Sequence, residues 1–513
     1  MPPPTYHIAV DLDDDGSFTG LAESFTSDVL HVAWRLGFSQ PHDTVAAPIA
    51  ARVTLRNHHR AYSPEHHPAL QIGLPLRIQS HDGLTTRTHF TGFIHRVEPL
   101  TGEQGERLAV IHALGLDHQL GQHRIRLPPQ IDVTADAVIT ALLAGLPLRH
   151  TPLKDHWLLG VPGHAELDSH THLGSAFPVT LQTGHSTLAY AADTWGDGIP
   201  ALEAIRQMAD AERGRFFVDR FGQMTFLNRH HTLLATTSLA AFSDDMDGLD
   251  YAYGADIANQ VEVECRPRTI GASGSTLWQL ANPQRIEPGE LGHRRLITPY
   301  RDSTGQPMGA LQVLAPVPFL DFTANTQPDG SGLDVTAGLL VILAESSFSG
   351  AVLEVRNLTA ATAYLMPAAR LRGTPLHLAD PALVQHTDWA SVNRHGLATL
   401  RLASPALTSA DEADQMARYE LARRSQPRGT VRALHLSGTL HQAQLLARTL
   451  FDRVTLHESQ TAHTADYFII AEEHEVDRAG TRHRARWLLE PAAASAFWIL
   501  GVSLLDQTTV LAY

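Results

Sequence analysis

The chain has 513 residues, 43% of them apolar and 18% charged, with a formal net charge of −15. This is globular composition and excludes a disordered chain, and the acidic balance excludes the basic surface that wraps nucleic acid. A single cysteine, Cys265, excludes an intrachain disulfide and a cysteine-based zinc cage.

At about 100–200 residues per domain, the length corresponds to roughly three or four domains. Met1-Pro2-Pro3-Pro4 lacks the basic and apolar regions of a signal peptide. No apolar run reaches the length of a membrane span, and Phe497-Trp498-Ile499-Leu500 is too short. The 31 histidines add groups that titrate between about pH 5 and 8.

The first stretch, to about Leu127, reads as β. Val53-Thr54-Leu55-Arg56, Leu74 to Ile78 and Phe90 to Val97 alternate in polarity. His81-Asp82-Gly83 and Thr101-Gly102-Glu103 supply the turns between them. A helix follows, with Thr134 as its expected cap and Val138, Ile139, Leu142, Leu143 and Leu146 on one face. Pro147 ends it.

Residues 151–195 predict loops and edge strands. Pro200 opens a second helix, Leu202, Ile205, Met208 and Ala209 form its stripe, and Gly214 stops it. Phe216 and Val218 then face Met224 and Phe226 across a turn from Asp219 to Gly222, which predicts a helix packed on a hairpin. Val261-Glu262-Val263-Glu264-Cys265 alternates as a strand, so Cys265 reads as a packing residue. Pro267 to Pro307 reads as irregular, and Thr336 to Asn357 as two or three strands. Ser409 and Glu412 form a capping box ahead of Ala413, Ala417 and Leu421, with Pro427 beyond the helix. Strands resume from Val431 to Ile470 and at Trp487-Leu488-Leu489. The basic run Arg482-His483-Arg484-Ala485-Arg486 alternates with Thr481, Ala485 and Trp487, so its arginines are expected on the wet face of a strand.

The expected class is mainly β with α+β parts. Two β-barrel-like domains combine with helix-plus-hairpin units and an inserted small β-sandwich. The expected boundaries are 1–130 for the first barrel, 131–250 for the α+β domain, 251–380 for the inserted β domain, and 381–513 for a C-terminal α+β or second barrel domain.

The residues that suggest chemistry are few. Asp11-x-Asp13-x-Asp15-Gly16 matches the opening of a calcium loop, but the twelfth position is Ala22 where a bidentate Glu belongs, and Glu23 is one place late. The bland alternative is an acidic turn. His170-x-His172 with His164 offers imidazoles at strand spacing, and a histidine-rich loop explains them equally. His58-His59, His66-His67 and His230-His231 are expected at the surface. Glu203, Asp210 and Glu212 share a helix, as solvated acidic faces routinely do. Glu472-Glu473-His474-Glu475 is not His-Glu-x-x-His, and neither a Gly-x-Ser-x-Gly elbow nor a Gly-Lys-Thr phosphate loop occurs. Asn357-Leu358-Thr359 matches a glycosylation acceptor. The reading is non-enzymatic, with no cofactor beyond a candidate Ca2+ at Asp11, Asp13 and Asp15.

Several segments taken in order resemble the hub and minor-tail proteins of tailed phages. They are Asp11 to Phe18, Thr26-Ser27-Asp28-Val29-Leu30 with Trp34, Leu55-Arg56-Asn57, Tyr62-Ser63-Pro64 and Phe90-Thr91-Gly92-Phe93-Ile94. The unit ending Gly222-Gln223-Met224-Thr225-Phe226 is similar to the middle of such proteins. Asp388-Trp389-Ala390-Ser391-Val392-Asn393-Arg394-His395-Gly396 resembles their Asp-x-x-Ser-Ile-x-x-Tyr-Gly run, with His395 where Tyr is usual. Residues 268–375 match least.

The resemblance implies two barrel hub domains per subunit and a ring, usually a homotrimer, at the virion tail tip. That baseplate hub would join tail tube to tip and surround the DNA channel. The implied partners are other copies of this chain, distal tail or tail-tube proteins, tip or fibre proteins and the tape measure protein, with no specific nucleic-acid binding. The alternative is a receptor- or glycan-binding tail protein that uses the inserted domain, where Phe319, Phe322 and Phe348 either stack on sugars or pack inside. A tail-associated murein hydrolase is not expected, because no segment up to Tyr513 reads as one.

Overall fold

The computed structural model describes residues 4–101, 105–146, 148, 170–172, 175–177, 179–196, 198–289, 293–477, 482–492, 497–498 and 510–511. It is mainly β. Six N-terminal strands run antiparallel in the spatial order Thr5–Val10, Pro75–His81, Thr86–Thr101, Arg107–Leu114, Ala50–Arg56 and Val29–Gly37. Alternation buries one side of each, as with Tyr6, Ile8 and Val10 on the first. Ile8, Trp34, Val53, Leu55, Ile78, Phe90 and Ile111 share a single core, so the sheet curls around its own apolar face.

A second group of six strands lies in the C-terminal part. His463–Asp477 pairs with Arg482–Pro491, which pairs with Gly429–Ser437 and then Gly248–Tyr253. Arg453–Glu458 pairs with the start of His463–Asp477 and takes Ala240–Phe242 in parallel on its far side. Phe242, Val431, Leu434, Val454, Tyr467, Ile469 and Trp487 fill this second core.

The two groups are one sheet. Val29–Gly37 runs antiparallel to His463–Asp477, from His31 opposite Asp477 to Gly37 opposite Ala471, which makes twelve strands in all. Gly37 has φ 98°, and a Cβ there would lie 2.2 Å from the Ile470 carbonyl oxygen. Only glycine lets the two strands approach at that point.

The helices Ala135–Ala144 and Ala201–Glu212 and the hairpin Arg215–Val218/Met224–Leu227 pack into the N-terminal core. Asp219 N–H and O complete the hairpin turn, and Gly222 takes φ 79° there. Thr134 sits at the N-cap position, but its side chain makes no cap bond; Asp136 of the first turn instead accepts the Gly184 N–H at 2.9 Å. At Ser409 the cap is made, by acceptance from the Glu412 N–H at 3.3 Å. The Glu412 carboxylate, free of the reciprocal half of the box, accepts from Ser186 Oγ at 2.6 Å.

Gln260–Cys265 pairs with Ala382–Thr387 and Thr399–Ala403, and helix Ala410–Arg424 covers this small sheet. Cys265 is buried in its core with Val261 and Val263, and that burial pushes its thiol up. The chain leaves this sheet after Cys265 and returns at Ala382, so the insertion is the block from Arg268 to Leu378. It holds three small sheets, among them Leu339–Ser346 against Gly350–Asn357 and His293–Pro299.

Two expectations need correction. Residues 267–307 are not irregular: Arg268–Ile270, Ser275–Gln279, Gln284–Ile286 and His293–Pro299 are strands. Their brevity and their Gly and Pro neighbours hide the alternation. Ala240–Phe242, placed by the sequence reading in the middle domain, and Gly248–Tyr253, placed across its boundary with the inserted domain, belong to the C-terminal strands of the sheet. Local pattern gives a strand its faces but not a partner about two hundred residues away.

Candidate functional site: the seam between the two β units

The seam holds a polar chain with no access to solvent. Trp34, on the N-terminal side, stacks on His474 across the strand pair, with ring centroids 4.8 Å apart and planes 7° from parallel. It also meets His89 at 5.3 Å. Tyr6 Oη lies 2.7 Å from His483 Nδ1, and His483 Nε2 lies 2.8 Å from His474 Nδ1. His474 Nε2 is 3.3 Å from Glu472 Oε2, and Arg220 Nη2 donates to both Glu472 oxygens at 3.3 Å. Arg220 comes from the turn of the helix-hairpin unit and also donates to the Arg448 carbonyl. Three parts of the chain thus meet in one network.

One proton assignment satisfies every link. Tyr6 donates to His483, His483 to His474, and His474 to Glu472. None of the five residues is more than 7% exposed. Burial holds His483 well below its ordinary value, and His474 adds to this. Burial does the same to His89, with Arg220 next in importance. For Glu472, burial pushes the carboxyl up, but Arg220 and His474 outweigh it and hold it below the usual range. Tyr6 is pushed up by burial. The network joins one ion pair, Arg220 with Glu472, to a chain of hydrogen bonds, an arrangement in which buried charge is tolerated.

The sequence reading missed this site, though a signal exists. In 471–477 the residues Glu472, His474 and Val476 fall on one face, and in 482–487 His483, Ala485 and Trp487 do so. Arg482 and Arg484 stand on the wet face, as expected. Polar residues on an apolar face are the mark of a buried network, but they read equally as an exposed edge.

The three aspartates of the acidic loop do come together, with one oxygen of each within 4.8 Å of the others. Both oxygens of Asp11 are spent on the loop itself: they accept the Asp15 N–H at 3.0 Å and the Gly16 N–H at 2.8 Å. Burial pushes Asp11 up, while those two bonds pull it down. Glu23 accepts from Gly20 N–H at 2.6 Å and Leu12 N–H at 3.3 Å, so it is turned to the backbone. This donor set is thinner than the six to eight oxygens calcium takes.

The other candidates fall to structural duties. Glu212 accepts the His185 and Ser186 N–H groups at 2.9 and 2.7 Å, Asp210 accepts from Thr44 Oγ1, and Glu203 pairs with Arg206. Asn357 is buried and donates to the Ile286 and Ala361 carbonyls. Phe322 and Phe348 are buried, while Phe319 is 64% exposed. His58, His59 and His66 lie at the surface, but His230 and His231 are half-buried, and His230 stacks on His185 at 3.9 Å. His164 lies outside the described residues, as do the side chains of His170 and His172. In the Asp388 run, Asp388 caps helix Trp389–His395 by accepting the Ser391 N–H at 3.0 Å, and Gly396 ends it at φ 81°. That motif is a helix start and stop. Among the described residues no helix is long and apolar enough to cross a membrane.

No protein-family model matches the chain, and no curated protein matches it. Among solved structures it is similar to a prophage MuSo2 43 kDa tail protein from Shewanella oneidensis, at 9% identity over 95% of this chain and 98% of that one, with a TM-score of 0.48. It is also similar to the tail protein from Neisseria meningitidis MC58, at 8% identity over 95% and 97%, with a TM-score of 0.47. A third, from E. coli, is described as a type VI secretion component with structural similarity to T4 bacteriophage tail proteins. It matches at 9% identity over 90% of this chain and 73% of that one, with a TM-score of 0.36.

Proposed function

We propose that this protein is a non-enzymatic structural component of a phage tail, or of a phage-derived injection apparatus, and that it forms the hub between tail tube and tip. The observation that carries this reading is the fusion of two six-stranded units into one twelve-stranded sheet, joined at the seam by a buried polar network. Such a body is stiff across its whole width and suits load-bearing between partners better than chemistry. The ordered resemblance of Asp11–Phe18, Tyr62-Ser63-Pro64, Gly222–Phe226 and Asp388–Gly396 to hub proteins supports the same reading. On it, three subunits ring a channel at the tail tip and contact tail-tube, tip and tape measure proteins. Mass photometry of the purified chain tests this: three copies of a 56.0 kDa chain give a particle of about 168 kDa. A monomer at high concentration, together with absence from tail tips under labelled antibody, would sink it.

One observation favours a second reading, attachment to a receptor or glycan through the insertion. Phe319 projects from the loop Val317–Asp321 at φ 64°, flanked by exposed Val317 and Leu320. The loop is held by Asp321, which accepts the Val317 N–H at 3.0 Å and takes Arg372 at 2.5 and 2.9 Å. An exposed aromatic in a strained, anchored turn suits contact with a partner. Glycan binding abolished by Phe319→Ala would support this reading; adsorption unchanged without residues 268–378 would remove it.

A further inference from the structure

Where the helix-hairpin unit meets helix Ala410–Arg424, a cavity is lined by Arg213, Arg215, Arg229, Arg423 and Arg424. Its two glutamates are engaged within it: Glu420 takes Arg424 at 2.8 Å and Arg213 at 3.2 Å, and Glu490 takes Arg215 at 2.6 Å. The outer face of the seam, opposite the buried network, has another balance. There one imidazole and two carboxylates converge.

His31 stands directly opposite Asp477 in the antiparallel pair, and Glu475 lies two residues back on the same face. Glu475 is opposite Ala33, whose methyl group leaves its carboxylate free to lean toward His31. His31 Nε2 is 2.8 Å from Glu475 Oε1 and 3.6 Å from Asp477 Oδ1. One ligand atom of each residue lies within 4.8 Å of the other two. The pairing of His31's own strand with Ala50–Arg56 slips between Val29 and His31, a bulge of the kind that re-aims a side chain. The side chains of His31, Glu475 and Asp477 are 27%, 54% and 38% exposed, so an ion and its water can reach them.

The neighbours leave this trio to itself. Glu473, next along the same face, is taken by Arg35 and Arg486, each at 3.3 Å. Arg484 and Arg482 stand opposite Glu475 and Asp477 on the third strand. Among the described residues, however, the ion pairs of Glu475 and Asp477 are with His31.

Four-coordinate zinc takes nitrogen and oxygen at about 2.0–2.2 Å, which sets neighbouring ligands about 3.4 Å apart. The distances from His31 Nε2 lie on either side of that spacing. A metal there takes the place of the Nε2 proton, and the imidazole binds as the Nδ1–H tautomer. One imidazole with two carboxylates suits zinc or a similar transition ion; calcium and magnesium prefer oxygen alone. Three protein ligands leave the fourth position to water. Both strands are fixed in the sheet, so the ligands are held without a loop closing over them.

We propose that His31, Glu475 and Asp477 form a zinc-class metal site that clamps the two strands of the seam from outside. The inference does not depend on the hub reading. The test is calorimetric titration and thermal unfolding of the intact chain with zinc chloride, against magnesium chloride at equal ionic strength. The expected result is a tightest phase of one zinc per chain and a rise in Tm, because the assembled site exists only in the folded chain. In His31→Gln the affinity of that phase should be weaker by about tenfold or more. Asp477→Asn gives a second reading if His31→Gln does not fold, and the exposed His58→Gln should keep the full response. A zinc effect no larger than that of magnesium overturns the proposal. So does a zinc response that survives both His31→Gln and Asp477→Asn, which would place the ion at histidines elsewhere in the chain.

Discussion

The seam and the arginine cavity both bury charge against the strands His463–Asp477 and Arg482–Pro491, yet they are built on opposite rules. At the seam Tyr6, His483, His474 and Glu472 form one chain of hydrogen bonds, and one arginine meets one glutamate. In the cavity five arginines meet two glutamates, and solvent reaches the site. The seam network ties three parts of the chain together and is shut off from solvent. Solvent access, more than the number of charges, separates the two sites.

The sharpest way to break this contrast is to unbalance the seam. Glu472→Ala strands the Arg220 cation in a buried site and should cost about 3–5 kcal/mol in denaturant unfolding. Glu472→Gln with Arg220→Met removes both charges and should recover most of that loss. No recovery would mean that the pair contributes through packing alone.

Acid should loosen the seam. The folded value of His483 lies well below 6.5, so the unfolded chain takes up the proton first as pH falls. Stability is then lost below pH 6.5, by up to about 1.4 kcal/mol per pH unit for each such histidine. His89 and His42 act in the same sense. Buried Asp117 and Asp219, pushed up to about 7 and about 6, act in the opposite one. Urea midpoints from pH 7.5 to 5 should therefore fall less steeply in His483→Gln than in the natural protein. Parallel slopes would remove His483 from the account.

A smaller effect is expected at the acidic loop. Asp11→Ala leaves two N–H groups without an acceptor and should cost about 1–3 kcal/mol, in EDTA as well. Asp13→Asn, at the exposed member, should change stability by less than about 0.5 kcal/mol in EDTA. If Asp11, Asp13 and Asp15 hold calcium, added calcium raises the Tm of the natural protein and Asp13→Asn abolishes that rise.

Much of the local structure was legible. Alternation located Ala50–Arg56, Pro75–His81 and Gln260–Cys265, helical spacing located Ala201–Glu212, and the Asp219–Gly222 turn fixed its hairpin. These depend on contacts within a few residues, where side-chain period and turn chemistry act directly. The sequence also brought Asp11, Asp13 and Asp15 into one loop, because three alternate positions ending at a glycine leave the chain little choice.

Only tertiary structure decided the rest. Val29–Gly37 meets His463–Asp477 across more than four hundred residues, and Ala240–Phe242 and Gly248–Tyr253 cross into the C-terminal sheet. Strand pairing at that distance is chosen by complementary faces, which no local window contains. The seam network and the arginine cavity follow from this. Glu472, His474 and His483 read as edge residues until Trp34 and Tyr6 close over them. Arg213, Arg229 and Arg423 come from two parts of the chain that the fold gathers around one cavity. A charged side chain carries no sign in sequence of whether water or another residue will face it, and here the long-range pairing settled that.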